Sequence, residues 1–295
     1  LRDAEAQGGI AKWKTYTKLS GPGWLQSAIT LGGGSLAGGL YLGVIGGYQL
    51  LWLQPLMMIF GVLMLSVIGY VALSTGEKPF QAINKHINPV LGWGWLIAAL
   101  MANLVWAMPQ FSLGTAALQQ NLGIFTDDPE SKVQNGKYLC AALLFIVASV
   151  VVWMYDSKGA KAFDIILKVM VGVIVVSFFG VVIALSGKLP WGDVLAGFIP
   201  DFSLLSEPAA GFKEKLATTS DPDYWRGVIL GSQRDRMVTA AATAVGINMT
   251  FLLPYSMLRK GWGREHRGLA TFDLSTGLFI PFLLATSCVV IASAS

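Results

Sequence analysis

The segment Leu31-Gly32-Gly33-Gly34-Ser35-Leu36-Ala37-Gly38-Gly39 lies in the middle of a long uncharged run. Each glycine costs a helix interior up to about 1 kcal/mol relative to alanine. Three in succession favour an unwound turn. The alternative is a small-residue face for tight helix packing. Unwound backbone at membrane depth survives only where it lines a cavity or is buried in protein. Gly32, Gly33, Gly34 and Ser35 would there offer free N–H and C=O groups to a bound ion or solute. A second such place is Gly246-Ile247-Asn248-Met249-Thr250-Phe251-Leu252-Leu253-Pro254. Pro254 removes a backbone hydrogen bond to the preceding turn, which predicts a bend or opening near 250. The polar residues Asn248 and Thr250 are then candidate ligands. The alternative is a mild proline kink with Asn248 bonded to a neighbouring helix. Two interrupted helices at matching places in two halves are the sequence pointer to a solute-binding site between them.

Other chemistry is not legible. The glycine run lacks the Gly-Lys-Ser/Thr ending and the strand–turn–helix setting of a phosphate loop. Cys140 and Cys288 lie in apolar runs and define neither a disulfide framework nor a metal site. His86 and His266 fall in loops, so no mid-membrane histidine relay is expected. The expectation is no enzyme activity, no cofactor and no nucleic-acid partner.

The elements that must position these residues follow from composition. The chain has 295 residues, 54% hydrophobic and 13% charged, about half the usual charged share of a soluble domain. Mean hydropathy is +0.59. This excludes a disordered chain and predicts an all-α polytopic membrane protein whose partners are the bilayer and a small substrate. No residue between Lys18 and Glu77 is charged. At about 1.5 Å per residue that run crosses a core of about 30 Å twice, with the turn at Gly46-Gly47-Tyr48. Seven spans are expected: 21–45, 49–75, 90–120, 138–155, 163–187, 237–258 and 270–294. Segment 1–20 reads as a polar cytoplasmic tail. Residues 21–187 read as a first five-helix repeat, 188–236 as an outer loop forming a partial lid, and 237–295 as the start of a second repeat.

With the N-terminus cytoplasmic, the inner segments carry Lys12, Lys14, Lys18, Lys78, Lys85, Lys158, Lys161, Arg259, Lys260, Arg264 and Arg267. The loop 121–137 carries Asp127, Asp128 and Glu130 against Lys132 and Lys137. This obeys the positive-inside rule and fits a plasma (inner) membrane protein. Inverted repeats of five helices need about ten spans. The end at Ser295, in an apolar run, therefore reads as a C-terminal truncation; a seven-helix receptor is the alternative.

Four sets of polar residues remain. Asp273 sits near the start of the seventh span, as a gating group or as an acid favoured by the helix macrodipole. Asp164 and Lys168 are four apart and expected to pair along one helix face. Gln26, Asn103 and Gln110 read as interhelical hydrogen bonds rather than ligands. Trp106 or Met108, near Pro109, are candidates for the cavity wall.

Gly21-Pro22-Gly23-Trp24-Leu25, the run at 32–35, Gly47-Tyr48-Gln49-Leu50-Leu51-Trp52 and Thr75-Gly76-Glu77 together resemble the Nramp family of divalent-metal transporters. Further similarity runs through Gly114-Thr115-Ala116, through 191–198, and from Phe272-Asp273 to Phe282-Leu283. The resemblance implies a LeuT-like inverted-repeat fold of about eleven helices, a cytoplasmic N-terminus and metal transport. The family's Asp-Pro-Gly-Asn motif falls on Gly32, Gly33, Gly34 and Ser35, so the metal-binding carboxylate and amide are replaced. Its Met-Pro-His motif falls on Met249, Thr250 and Phe251, keeping the Met and losing the His. The family's carbonyl ligand falls on Gly246, and Asp273 matches a family Asp. The run 87–126 contains no Asp, Glu or His, where the family carries acids for proton movement.

Three functions follow. The leading one is a secondary transporter of metal ions working by alternating access. A bare divalent ion at mid-membrane needs charge and ligands to replace its water shell, and the replaced residues supply little of either. The second is therefore a transporter of a small organic or anionic solute, with free N–H groups at a half-helix N-terminus holding a carboxylate. The third is a transport-inactive scaffold or sensor that keeps the fold.

Overall fold

The computed structural model describes residues 6, 8–126, 135–156 and 159–295. Asp127, Asp128, Glu130, Lys132 and Lys158, which enter the loop-charge argument, lie outside the described residues.

Among the described residues the chain is helical without strands. A short helix α1 (Gly9–Leu19) leads into the first span. That span is two half-helices, α2 (Pro22–Thr30) and α3 (Gly33–Gly46), set at 53° to each other. Gly47, with φ 55, makes the turn at which the chain reverses, a conformation glycine adopts without strain. The next elements are α4 (Leu53–Thr75), α5 (Pro79–His86), α6 (Pro89–Ala116), α7 (Gly136–Asp156) and α8 (Ala160–Leu185). Two short helices, α9 (Trp191–Ala196) and α10 (Ala210–Ala217), precede the sixth span. That span is again two halves, α11 (Pro222–Ala244) and α12 (Ile247–Arg259). The seventh runs through α13 (Arg267–Leu274), a π-turn at Ser275–Phe279, and α14 (Ile280–Ala294).

The structure corrects three expectations. The segment 188–236 is not a long loop, because the sixth span starts at Pro222, capped by Asp221 Oδ1 accepting from Tyr224 N at 3.2 Å. Its charged residues Arg226, Arg234, Asp235 and Arg236 hide this helix from a hydropathy reading. The rest of the segment packs on the 47–52 turn, where Trp52 N donates to Gly197 O at 2.9 Å and Ala210 N to Gln49 Oε1 at 2.7 Å. No residue of 188–236 lines the central cavity. The opening in the sixth span falls at Val245–Gly246, not near 250. Pro254 sits inside a continuous α12, since one missing N–H bends a helix less than two extended residues break it. Lastly, Asp164 pairs with Lys260 Nζ at 2.5 Å, while Lys168 Nζ donates to Ser20 O at 2.9 Å. The tertiary partners displace the expected pair on one helix.

The first and sixth spans lie in the middle of the packing. Met249, Leu253 and Met257, four apart on α12, are 0–1% exposed and meet Met58, Leu65 and Leu73 of α4 in one core cluster. In lipid such contacts work by close packing rather than by water exclusion. Small residues allow it: a Cβ on Gly43 of α3 would lie 2.5 Å from the Val290 carbonyl of α14. By contrast α6, α7 and α8 present broad apolar surfaces, as lipid-facing helices do.

The basic end of the molecule is tied by charge. Glu77 accepts from Lys85 Nζ and contacts His86 Nε2, both at 3.0 Å. These hydrogen bonds, that from Lys85 foremost, hold its carboxyl below the ordinary 4.5. A depressed carboxylate contributes above its unfolded pKa and loses that contribution as pH falls through the folded value. Hydrogen exchange in α5, corrected for intrinsic rates, is therefore expected to stay constant from pH 7 to 5 and to rise only below about 4.5. A rise already between pH 7 and 6 would overturn the assignment of this tie to the Glu77 carboxylate.

Candidate transport site

The two breaks face one cavity of about 600 Å³. At the first, Leu31 and Gly32 leave the helix, with Gly32 extended at φ −81, ψ 179. At the second, Val245 and Gly246 are extended, with Gly246 at φ −84, ψ 159. The end of α2 (Ala28, Ile29, Thr30) and the end of α11 (Ala242, Thr243) both line the cavity. Helix C-terminal carbonyls have no partner within their own helix, so these ends offer oxygens and the negative pole of the macrodipole. The starts of α3 and α12 offer N–H groups of opposite polarity.

Of the residues singled out in the sequence, Gly32, Gly34, Ser35, Gly246, Asn248 and Met249 line this cavity. Gly33 does not; a Cβ there would run into Leu113. Thr250 does not either. Its hydroxyl donates back to Ile247 O at 2.5 Å and accepts from Trp95 Nε1 at 3.4 Å. Ser35 Oγ donates to Thr243 O at 2.9 Å, which joins the start of α3 to the end of α11 through one of the orphan carbonyls. Met249 is 1% exposed, and Thr30 Oγ1 donates to its sulfur at 3.2 Å. The Gly246 carbonyl and the Asn248 side-chain oxygen both accept from Met249 N at 3.0 Å. Each keeps a lone pair that this bond does not use.

The third wall is α6. Asn103, Trp106 and Gln110 lie on one stripe at helical spacing and line the cavity together with Ala99. Met108 points away and is 74% exposed. Sequence patterning makes Trp106 only a candidate for the wall and gives Asn103 and Gln110 as interhelical hydrogen bonds. Asn103 Nδ2 instead donates to Ala99 O of its own helix at 2.8 Å. Gln26 is fully buried and its amide has no partner among the described residues. Thr30 and Thr243 escape sequence patterning, although each precedes its break by two or three residues and so belongs to the helix end that the break exposes.

Among the described residues, no Asp, Glu, His, Lys or Arg lines the cavity, and no group of three His, Cys, Asp or Glu side chains is placed to hold a metal ion. Oxygens of threonine, serine and amide side chains, backbone carbonyls and one thioether make up the donor set.

Asp273 stands apart from the cavity. It is 0% exposed and accepts from Gly21 N at 3.0 Å and Gly23 N at 2.6 Å. Those two donors are the open N-terminus of α2, so a carboxylate from the seventh span occupies the anion position of the first. The Gly-Pro-Gly sequence is what permits it. Pro22 starts the helix without needing a partner, and a Cβ on Gly23 would collide with the Asp273 carbonyl. Lys260, already paired with Asp164, lies against Gly21. The first half-helix is thus clamped at its N-terminal end by the fifth, sixth and seventh spans.

Comparison with known proteins agrees with this architecture. The family model described as natural resistance-associated macrophage protein-like matches residues 23–295. The metal transporter Nramp2 of Oryza sativa subsp. japonica is 26% identical over 174 residues, covering 56% of this chain and 30% of that protein. The metal transporter Nramp6.2 of Populus trichocarpa is 24% identical over 192 residues, covering 65% of this chain and 33% of its own length. The chain therefore spans about a third of the curated relatives it matches. A crystal structure of a variant of the Eremococcus coleocola manganese transporter superposes on 97% of the chain with TM-score 0.66 at 15% identity, using 53% of that transporter. A second structure of that transporter, bound to an aromatic bis-isothiourea compound, gives TM-score 0.63 at 18% identity. The fold is accordingly the LeuT-like helical bundle of that transporter, and the chain belongs to the Nramp family.

Proposed function

We propose that this chain carries the substrate site of a secondary transporter that moves a divalent metal ion across a membrane by alternating access. One observation carries the reading: two broken helices meet at one cavity bordered by the C-terminal ends of α2 and α11. Family membership and the names of the relatives support a metal as cargo. Gly32, Gly34, Ser35, Gly246, Asn248 and Met249 are the proposed contacts. Gly33 opens α3 rather than lining the wall, and Thr250 supports α12. Asp273 is the proposed inner gate. The positive-inside bias supports a cytoplasmic N-terminus and a plasma-membrane location. The five-helix repeat over 21–187 and its successor over 237–295 remain the proposed organisation, with the second now starting at Pro222.

The neutral lining favours one second reading, transport of a small organic solute. Uptake into proteoliposomes holding the full chain separates them, with Mn²⁺ tested first beside small amino acids and carboxylates. Saturable Mn²⁺ uptake supports the metal reading. Accumulation of one organic solute without Mn²⁺ replaces it. A folded protein that moves neither leaves the scaffold reading.

Met249 supplies the cavity's thioether, a soft ligand better suited to Cd²⁺ than to Mg²⁺ or Mn²⁺. In Met249→Ala, Cd²⁺ is expected to inhibit Mn²⁺ uptake about tenfold less well, equivalent to about 1.4 kcal/mol of binding. Unchanged Cd²⁺ inhibition would remove Met249 from the ligand set.

A further inference from the structure

Neither break supplies the third wall of the cavity, and that wall carries a polar group with no structural employment. On α6 the residues Ala99, Asn103, Trp106 and Gln110 recur at helical spacing and all line the cavity. Asn103 spends an amide hydrogen on Ala99 O. The Gln110 carboxamide has no hydrogen-bond partner among the described residues. Its side-chain oxygen lies 3.6 Å from where a Cβ on Gly33 would sit, and 3.9 Å from the corresponding point on Gly32. It therefore stands directly against the unwound turn of the first span. A side chain at either glycine would crowd this approach. Pro109 precedes it inside α6, and removes the hydrogen bond that would tie this turn to the Val105 carbonyl.

We propose that the Gln110 carboxamide is a direct substrate ligand, its oxygen coordinating a hard divalent cation held at the break around Gly32. This rests on the reading of the cavity as a metal site. A carboxamide oxygen is a hard, neutral donor of the kind Ca²⁺, Mg²⁺ and Mn²⁺ accept. It stands near the Ile29 carbonyl at the end of α2, which lies 3.1 Å from where a Cβ on Gly32 would sit, and adds a donor from a third helix. With neutral donors throughout, the cation keeps part of its water shell, and its binding does not require any cavity side chain to lose a proton.

The test is equilibrium Mn²⁺ binding by the purified full chain, measured from pH 5.5 to 8. The wild-type Kd is expected to be level across that range. Gln110→Leu keeps the side-chain bulk and is expected to raise the Kd about tenfold. Gln110→Glu is expected to lower it about tenfold at pH 8, with the gain shrinking as the pH falls towards the carboxylate range. A gain in affinity that titrates cannot arise from misfolding or from a purely structural role. Wild-type binding with both variants unchanged overturns the assignment of Gln110 and leaves the metal reading standing. Failure of the wild type to bind Mn²⁺ overturns both.

Discussion

Asp273→Asn is expected to lower transport at least tenfold and to reduce the thermal transition by roughly 5–10 °C, although the substitution preserves side-chain size. The carboxylate accepts from Gly21 N and Gly23 N with both of its oxygens, in a site with no solvent exposure. An asparagine offers one oxygen and one NH₂. One backbone N–H must then face another donor. Hydrogen bonds to charged groups are worth about 1.5–3 kcal/mol, and a buried donor left without a partner costs about 1–3 kcal/mol. The charge that complements the N-terminal pole of α2 is lost as well. An effect near 3 kcal/mol moves a two-state equilibrium about a hundredfold. The clamp on α2 is also held by Lys168 on the Ser20 carbonyl and by the Lys260–Asp164 pair. Weakening it should therefore favour the state in which α2 swings away. With Ser20→Cys as the reporter, labelling by a membrane-impermeant maleimide should be faster in the Asp273→Asn background. Wild-type uptake, thermal transition and labelling rate would together refute Asp273 as a gate.

Gly34→Val should abolish uptake while leaving a folded protein. A Cβ at Gly34 would stand 2.6 Å from Trp106 Cζ3 and 3.3 Å from Cε3. Overpacking of this kind typically costs about 1–3 kcal/mol when neighbours cannot move. Trp106 can move, because it is 37% exposed and borders open cavity. Its ring would be displaced into the space a substrate needs, so function should suffer more than stability. Uptake is expected to fall more than tenfold with an unchanged gel-filtration profile. The double variant Gly34→Val, Trp106→Ala should recover most of the loss, because the two sites are coupled through one contact. Normal uptake in the single variant, or no recovery in the double, would place the substrate elsewhere.

Much of the architecture is legible in the amino-acid sequence. Uncharged runs locate six of the seven spans and the second half of the sixth, since crossing lipid forces both length and apolarity onto a helix. A break in the first span is legible from its adjacent glycines, although of the run 32–35 only Gly32 leaves the helix, beside Leu31, and Gly33, Gly34 and Ser35 are helical. The sixth span is less legible. Its first half carries Arg226, Arg234, Asp235 and Arg236, so composition conceals it. Its opening at Val245–Gly246 depends on which backbone groups find partners across the cavity, as Ser35 does on Thr243 O. Proline is a stronger local signal than Val-Gly, yet Pro254 stays within a helix held on both sides by packed neighbours.

The helices, their order, the glycine break and the absence of charge through the central part of the first three spans are written in the chain itself. Those properties are local, or follow from the solvent each segment must meet. Packing between the spans settles a different matter, namely which polar groups are committed and which are free. Asp164 takes Lys260 over Lys168, Asp273 takes the two backbone donors of α2, and Thr30 takes the sulfur of Met249. Gln110 is left facing the break. Each of these pairings joins residues on different spans. Their distances are set by how helices pack, which no spacing along one helix encodes.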